Sequence, residues 1–262
     1  MKQFDMRGRV VLVTGAAGYL GRAMVLSLAE AGAEVLINGR RAERCEALAQ
    51  ELRGRGLRAR PAAFDVTDAG AVAGFFDRLG DRPLHGLVNN AFAGGGGTIE
   101  TLDSAAYGAS YEVTVVAAHR LIRLALPAFR RAVRESGAAA VVNVMSMYGL
   151  VSPVPELYDT PQSTNAPSYG TAKAALGQLT RYGACEFGHE GIRVNAVAPG
   201  PFPAPAVQAE NADFVGRLAQ RVPMKRIGAA EEISGPVTFL LSPAASYVNG
   251  AVLNVDGGWT SW

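Results

Sequence analysis

Short apolar runs alternate with longer stretches of helical periodicity along most of the chain. The runs fall at 10–14, 34–38, 58–64, 86–89, 139–144, 193–198 and 252–255. Several are apolar almost throughout, the pattern of a parallel strand covered on both faces. Helical stretches lie between them at 21–31, 42–53, 69–79, 104–135, 168–189, 212–221 and 230–241. This alternation predicts βαβ units and an α/β fold. Its core is a doubly wound, mostly parallel seven-stranded sheet with helices on both faces. Right-handed crossovers then settle most of the topology. No linker or internal repeat divides residues 1–262, so one domain is expected.

Three stretches do not read as compact crossovers. Residues 92–98 hold four consecutive glycines. Residues 147–167 are rich in proline and polar residues. Residues 200–209 contain Pro201, Pro203 and Pro205. Each follows the C-terminal end of a strand, the edge at which open α/β sheets bind ligands. Long loops there are more often functional than decorative.

Composition narrows the class. The 262 residues are 49% hydrophobic and 18% charged, which is globular rather than disordered. A net charge of +2 gives no reason to expect a nucleic-acid or anionic-membrane partner. The start is polar, no segment reaches membrane-span length, and Cys45 and Cys185 stand far apart. A cytoplasmic protein with reduced thiols is therefore expected. His85, His119 and His189 do not cluster, so no metal site is expected.

Candidate chemistry begins with Tyr169 and Lys173, four residues apart. On a helix they share one face, and a phenol beside an ammonium is a usable acid/base near neutral pH. An isolated pair of this kind is more often plain surface. Here only 3 of the 25 basic residues are lysine, which tilts the balance a little. Gly15, Gly18 and Gly21, with Tyr19 and Leu20 between the last two, join the first strand to the first helix. That is the place for a tight turn that admits a pyrophosphate at a helix N-terminus. The second strand ends at Gly39-Arg40, where an acidic residue would hold a ribose 2′-hydroxyl. A small neutral residue beside a guanidinium suits a 2′-phosphate, hence NADP, with NAD as the alternative. Asp65-Val66 ends the third strand, where an adenine contact would fall.

With Asn89-Asn90-Ala91, Ser146, Pro199-Gly200 and Asp256-Gly257-Gly258 added, the chain resembles the short-chain dehydrogenase/reductase family, a Rossmann-type fold, over nearly its whole length. The resemblance implies an NAD(P)-dependent oxidoreductase interconverting an alcohol and a carbonyl. Tyr169 would be the acid/base and Ser146 would orient the substrate oxygen. Lys173 would bind the nicotinamide ribose and lower the pKa of Tyr169. Asn89 and Ala91 would line the cofactor crevice, and Pro199 and Gly200 would pack by the nicotinamide. Relatives are mostly dimers or tetramers, so a homo-oligomer, here a homotetramer, is expected.

The departures from the family pattern are equally specific. Tyr19 stands where the compact branch usually has Gly, and Phe92 follows Asn-Asn-Ala in place of Gly. Thr114 aligns with a catalytic Asn that anchors a relay water, a role its hydroxyl could still serve. Ala204 replaces a Thr that contacts the carboxamide. Ser146 and Tyr169 lie 23 residues apart, wider than is usual, and the extra length at 150–167 is expected over the mouth of the site. A similar long form is familiar from relatives placed around carbohydrate metabolism, which points to a small polar, sugar-like substrate. Two other readings stay open: a dinucleotide-binding sensor or partner subunit with little turnover, and an epimerase that uses its cofactor transiently.

Overall fold

The computed structural model describes residues 2–262. β1 (Val10–Val13) leads through a glycine turn into α1 (Tyr19–Glu30), then β2 (Glu34–Gly39), α2 (Ala42–Gly54), β3 (Ala59–Ala63), α3 (Ala69–Leu79) and β4 (Gly86–Asn89). The second half runs α4 (Ser104–Tyr111), a π-helical turn at Glu112–Val116, α5 (Ala117–Ser136), β5 (Ala139–Val144) and α6 (Pro167–Phe187). It finishes with β6 (Ile192–Pro199), α7 (Pro205–Glu210), α8 (Ala212–Arg221), α9 (Ser234–Leu241) and β7 (Val252–Val255). All seven strands are parallel, in the order β3-β2-β1-β4-β5-β6-β7. The chain reverses its direction of winding between β1 and β4, and a crevice opens there beyond the strand ends.

Strand periodicity divides the core into two layers. On one face Val11, Val13, Val35, Ile37, Val88 and Val142 pack against Met24 and Leu28 of α1, Leu48 and Leu52 of α2, and Val237 and Leu240 of α9. On the other, Leu12, Leu36, Leu87, Val141 and Val194 pack against Val72 and Phe75 of α3, Leu121 and Phe129 of α5, and Phe187 of α6. These side chains are almost fully removed from solvent, which explains why the strand sequences read as apolar runs. Among the described residues no helix is long and apolar enough to cross a membrane.

Two expectations change. The single helix expected over 104–135 carries a π turn in its middle. Such insertions re-aim side chains and recur at functional sites. The stretch at 200–209 is not wholly loop, because Pro205 at a first helical position starts the short α7.

Candidate active site

The site grows from the glycine turn. Gly15 has φ +61°, a conformation that side-chain-bearing residues rarely adopt, and a Cβ there would lie 3.0 Å from Asn90 Nδ2. A Cβ on Gly21 would stand 2.1 Å from the Gly15 carbonyl oxygen, which no relaxation of a flexible side chain could relieve. Thr14 locks the turn to the end of β4. Its Oγ1 accepts from the Asn90 and Ala91 N–H groups at 2.9 and 3.0 Å, while Asn90 Nδ2 donates to the Thr14 carbonyl at 2.9 Å. Gly18 precedes α1 without a side-chain cap, so the first helical N–H groups face open space.

That space is a cleft of about 690 Å³ along the strand ends. Gly15, Gly18, Tyr19 and Leu20 form its floor. One end is walled by Arg40, Arg41, Arg44, Asp65 and Val66, and the other by Ala91, Phe92, Tyr169, Lys173, Pro199 and Gly200. Asp65 is engaged locally, accepting from Thr67 N–H and Oγ1 at 2.9 and 2.8 Å. These bonds, with Arg40 nearby, hold its carboxyl below the usual range. An uncapped helix N-terminus, a glycine floor that a Cβ would fill, and three arginines at one end fit a phosphorylated dinucleotide.

Asn89 does not line this cleft. As the last residue of β4 its side chain turns into the sheet, where Nδ2 donates to Asn143 Oδ1 at 2.8 Å, and Asn143 donates in turn to Thr180 Oγ1 at 2.9 Å. Its neighbour Asn90 lines the cleft instead, because successive side chains of a strand face opposite ways. Thr114 is likewise absent from the cleft. It is 3% exposed, and its hydroxyl finds no partner among the described residues. It shares with Asn89, whose Oδ1 is also unpaired, an internal cavity of about 10 Å³. That is roughly the room and polarity one water needs. The π turn containing Thr114 therefore points its side chain at the buried amide pair, not at the open cleft.

Ser146, Tyr169 and Lys173 do come together. Ser146 lies two residues beyond the end of β5, caps the short turn at Met147–Gly149 and is buried, with its Oγ accepting from Tyr148 N–H at 3.2 Å. Tyr169 stands in the first turn of α6, which Pro167 opens at a position where proline's missing N–H is harmless. Its ring meets Phe92 edge-on at 4.8 Å between centroids. Burial holds the Tyr169 phenol above its ordinary range, and the hydrogen bond with Ser146 pulls it back down. Lys173 was expected to be the lowering group. Instead its ammonium donates to the Val144 carbonyl at 2.6 Å and lies 5.6 Å from the centroids of both the Tyr169 and Phe92 rings. The lowering of the phenol comes from Ser146.

Lys173 is 3% exposed and has no carboxylate beside it, so burial brings its pKa from 10.5 down to about 8. Between those values the unfolded chain holds a proton that the native one has released. Stability contributed by this group therefore rises with pH from about 8 to 10.5, by roughly 3 kcal/mol in all. Urea unfolding without cofactor across that window is expected to show the rise in the wild type relative to Lys173→Met. Parallel curves for the two proteins would mean the ammonium is not desolvated. Ionising tyrosines act against stability above pH ~10 but are common to both proteins and cancel.

The insertion was expected over the mouth, but none of residues 150–167 lines the cleft. Tyr148 and Tyr158 bring their hydroxyls within 2.9 Å of each other. Both rings join a cluster with Leu157, Leu218, Trp259 and the Tyr169 ring. Trp259 is 3% exposed and packs here, while Trp262 stays largely in solvent. Sequence reasoning had no signal for the Tyr148–Tyr158 pair beyond the length of the insertion, nor for Arg41, Arg44 and Phe202, which line the cleft.

The chain is similar to known proteins over nearly its whole length. The family model described as Enoyl-(Acyl carrier protein) reductase matches residues 15–260. The chain is 39% identical over 256 residues to cis-4-hydroxycyclohexanecarboxylate dehydrogenase of Sinomonas cyclohexanicum, covering 97% of each. It is 36% identical over 269 residues to galactitol 2-dehydrogenase of Rhizobium johnstonii, covering 100% of this chain and 98% of the other. Among solved structures, a gluconate 5-dehydrogenase from Burkholderia cenocepacia in complex with NADP and tartrate superposes with a TM-score of 0.88. Its identity is 29%, covering 100% of this chain and 98% of that one.

Proposed function

The chain belongs to the short-chain dehydrogenase/reductase family, and on that premise we propose that it is an NADP-dependent oxidoreductase interconverting an alcohol and a carbonyl on a small polyhydroxylated substrate. The observation that carries the reading is the placing of Tyr169 and Lys173 at one end of a dinucleotide-shaped cleft whose other end is walled by arginines, with the buried Ser146 behind the phenol and lowering it. Bound NADP supplies or accepts the hydride.

The chain's own residues do the rest. Tyr169 exchanges the proton with the substrate oxygen. Ser146, buried and close enough to that phenol to lower it, holds the oxygen in line. Lys173 anchors the ribose and brings a positive charge close to the phenol. Val113, Met145 and Phe202 wall the cleft with apolar surface and keep water from the reacting carbon. Thr114 acts at one remove, lining the small cavity beside Asn89 rather than touching the reactants. The sugar-like class is supported by relatives named for galactitol and gluconate. Exposed Tyr182, Val116 and Leu253, on α6, on the π turn and on β7, suit contact with a second copy of the chain.

The test is oxidation of a panel of polyols and simple secondary alcohols with NADP⁺, followed by the absorbance of the reduced nicotinamide. Turnover of at least one polyhydroxylated member is expected. Tight NADPH binding with no turnover of any alcohol or carbonyl would replace this reading by that of a binding protein.

A further inference from the structure

The inference concerns the adenosine end of the cleft, and rests on the cofactor reading just given. We propose that Arg120, on α5, is the positioning residue that holds the loop 65–67 in the shape that receives the adenosine half of NADP, and that the π turn sets its anchor, Glu112, beside it.

Asp65, Val66 and Thr67 follow β3, and all three line the cleft. They belong to no helix or strand, so no ladder of backbone bonds fixes them. One turn bond, from the Asp68 N–H to the Asp65 carbonyl at 3.2 Å, and two side chains hold them instead. The Asp65 carboxylate takes the Thr67 N–H and hydroxyl. Arg120 takes the carbonyls. Its Nη1 donates to Val66 at 3.0 Å and to Thr67 at 3.4 Å. The planar guanidinium suits this task, because it serves these acceptors and still presents a second nitrogen elsewhere.

That second nitrogen fixes Arg120 itself. Nη2 donates to Glu112 Oε1 at 2.9 Å, and the arginine side chain is only 17% exposed. Glu112 opens the π turn, eight residues before Arg120. In an unbroken α-helix two positions eight apart stand about 80° apart around the axis. The wider π turn uses up extra residues and brings them nearer one line. The same turn carries Val113, which lines the cleft, and Thr114, which shares the small cavity with Val66 and Ala91. One helical irregularity therefore meets the adenosine loop twice, through the guanidinium and through the cavity wall. An ion pair along one helix contributes little by itself. The bonds to carbonyls 54 and 53 residues away are what assign Arg120 to the cleft.

Arg120→Met keeps the length of the stem and removes the guanidinium. Its dissociation constant for NADPH, read from nicotinamide fluorescence, is expected to rise about 5–10-fold. That for 2′,5′-ADP, the adenosine half alone, is expected to rise by the same factor in calorimetry. At saturating NADP⁺ kcat should stay within about twofold, because the reacting end is untouched. Arg120→Lys, whose single ammonium still reaches one carbonyl, is expected to recover part of the affinity. A lower Tm in Arg120→Met with both constants unchanged is the mark of a merely structural residue, and overturns the proposal. A wild type that binds neither NADPH nor 2′,5′-ADP overturns the cofactor reading instead. Amide exchange at Thr67 and Asp68 in the ligand-free protein then decides the brace by itself. Exchange about tenfold faster in Arg120→Met supports it. Equal rates in the two proteins overturn it. Should Arg120→Met not fold, Glu112→Ala carries the same exchange comparison, with the same two outcomes.

Discussion

Replacing Tyr169 by Phe is expected to lower kcat about a thousandfold while leaving NADPH affinity within roughly twofold. The phenol is lowered by the neighbouring Ser146, and the ring packs edge-on to Phe92 and into the cluster around Trp259. Phenylalanine keeps every one of those ring contacts and deletes only the proton-carrying group. A general acid/base contributes about 10²–10⁴-fold, so the loss belongs in kcat, not in binding. Thermal stability should change little. Steady-state kinetics with a substrate found in the alcohol panel, paired with a fluorescence titration of NADPH, separates the two effects. A variant within tenfold of wild-type kcat would mean that another group supplies the proton. The nearest rivals are Tyr148 and Tyr158, whose phenols burial raises further from neutrality.

The second large effect is at the opposite end of the cleft. Arg40→Ala is expected to raise the KM for NADP⁺ about 10–100-fold and that for NAD⁺ by less than about threefold. The β2 end offers Gly39, which has no side chain, and then Arg40, Arg41 and Arg44 along the cleft wall. The acid within reach is Asp65, already committed to Thr67. A 2′-phosphate thus meets cations, while a bare 2′-hydroxyl meets no free carboxylate from β2. Charge-assisted hydrogen bonds of about 1.5–3 kcal/mol correspond to the stated range. The ratio of kcat/KM for the two cofactors is the measurement. A wild type that prefers NAD⁺ would refute the assignment outright. A preference for NADP⁺ that survives the substitution would move the phosphate contact to Arg41 or Arg44.

Residue patterns carried much of this architecture. The strands at 86–89, 139–144 and 252–255 lie where the apolar runs ended. Gly15 and Gly21 could be singled out because the backbone there leaves no room for a Cβ, and only glycine satisfies that. Tyr169 and Lys173 could be paired because helical spacing is local. Each of these features follows from interactions a few residues long.

The rest depended on which way side chains turn and what the fold brings across. Asn89 and Asn90 are adjacent and chemically identical. The position at which β4 ends determines that Asn90 faces the cleft and Asn89 the buried amide ladder. Thr114 aligned with a catalytic position, yet a π turn, invisible to a 3.6-residue period, aims it at Asn89. The lysine expected to tune Tyr169 bonds to a strand carbonyl, and Ser146, 23 residues upstream, lowers the phenol instead. Tyr148 and Tyr158 bring their hydroxyls together on an insertion tied to α8 at Leu157 and to the glycine-rich loop at Asn165. The sequence by itself determined the doubly wound sheet, the glycine turn and the reactive pair, since periodicity and backbone sterics act locally. The tertiary structure decided which neighbour tunes the tyrosine and which groups line the cleft, because electrostatics and hydrogen bonding act through space between segments far apart in the chain.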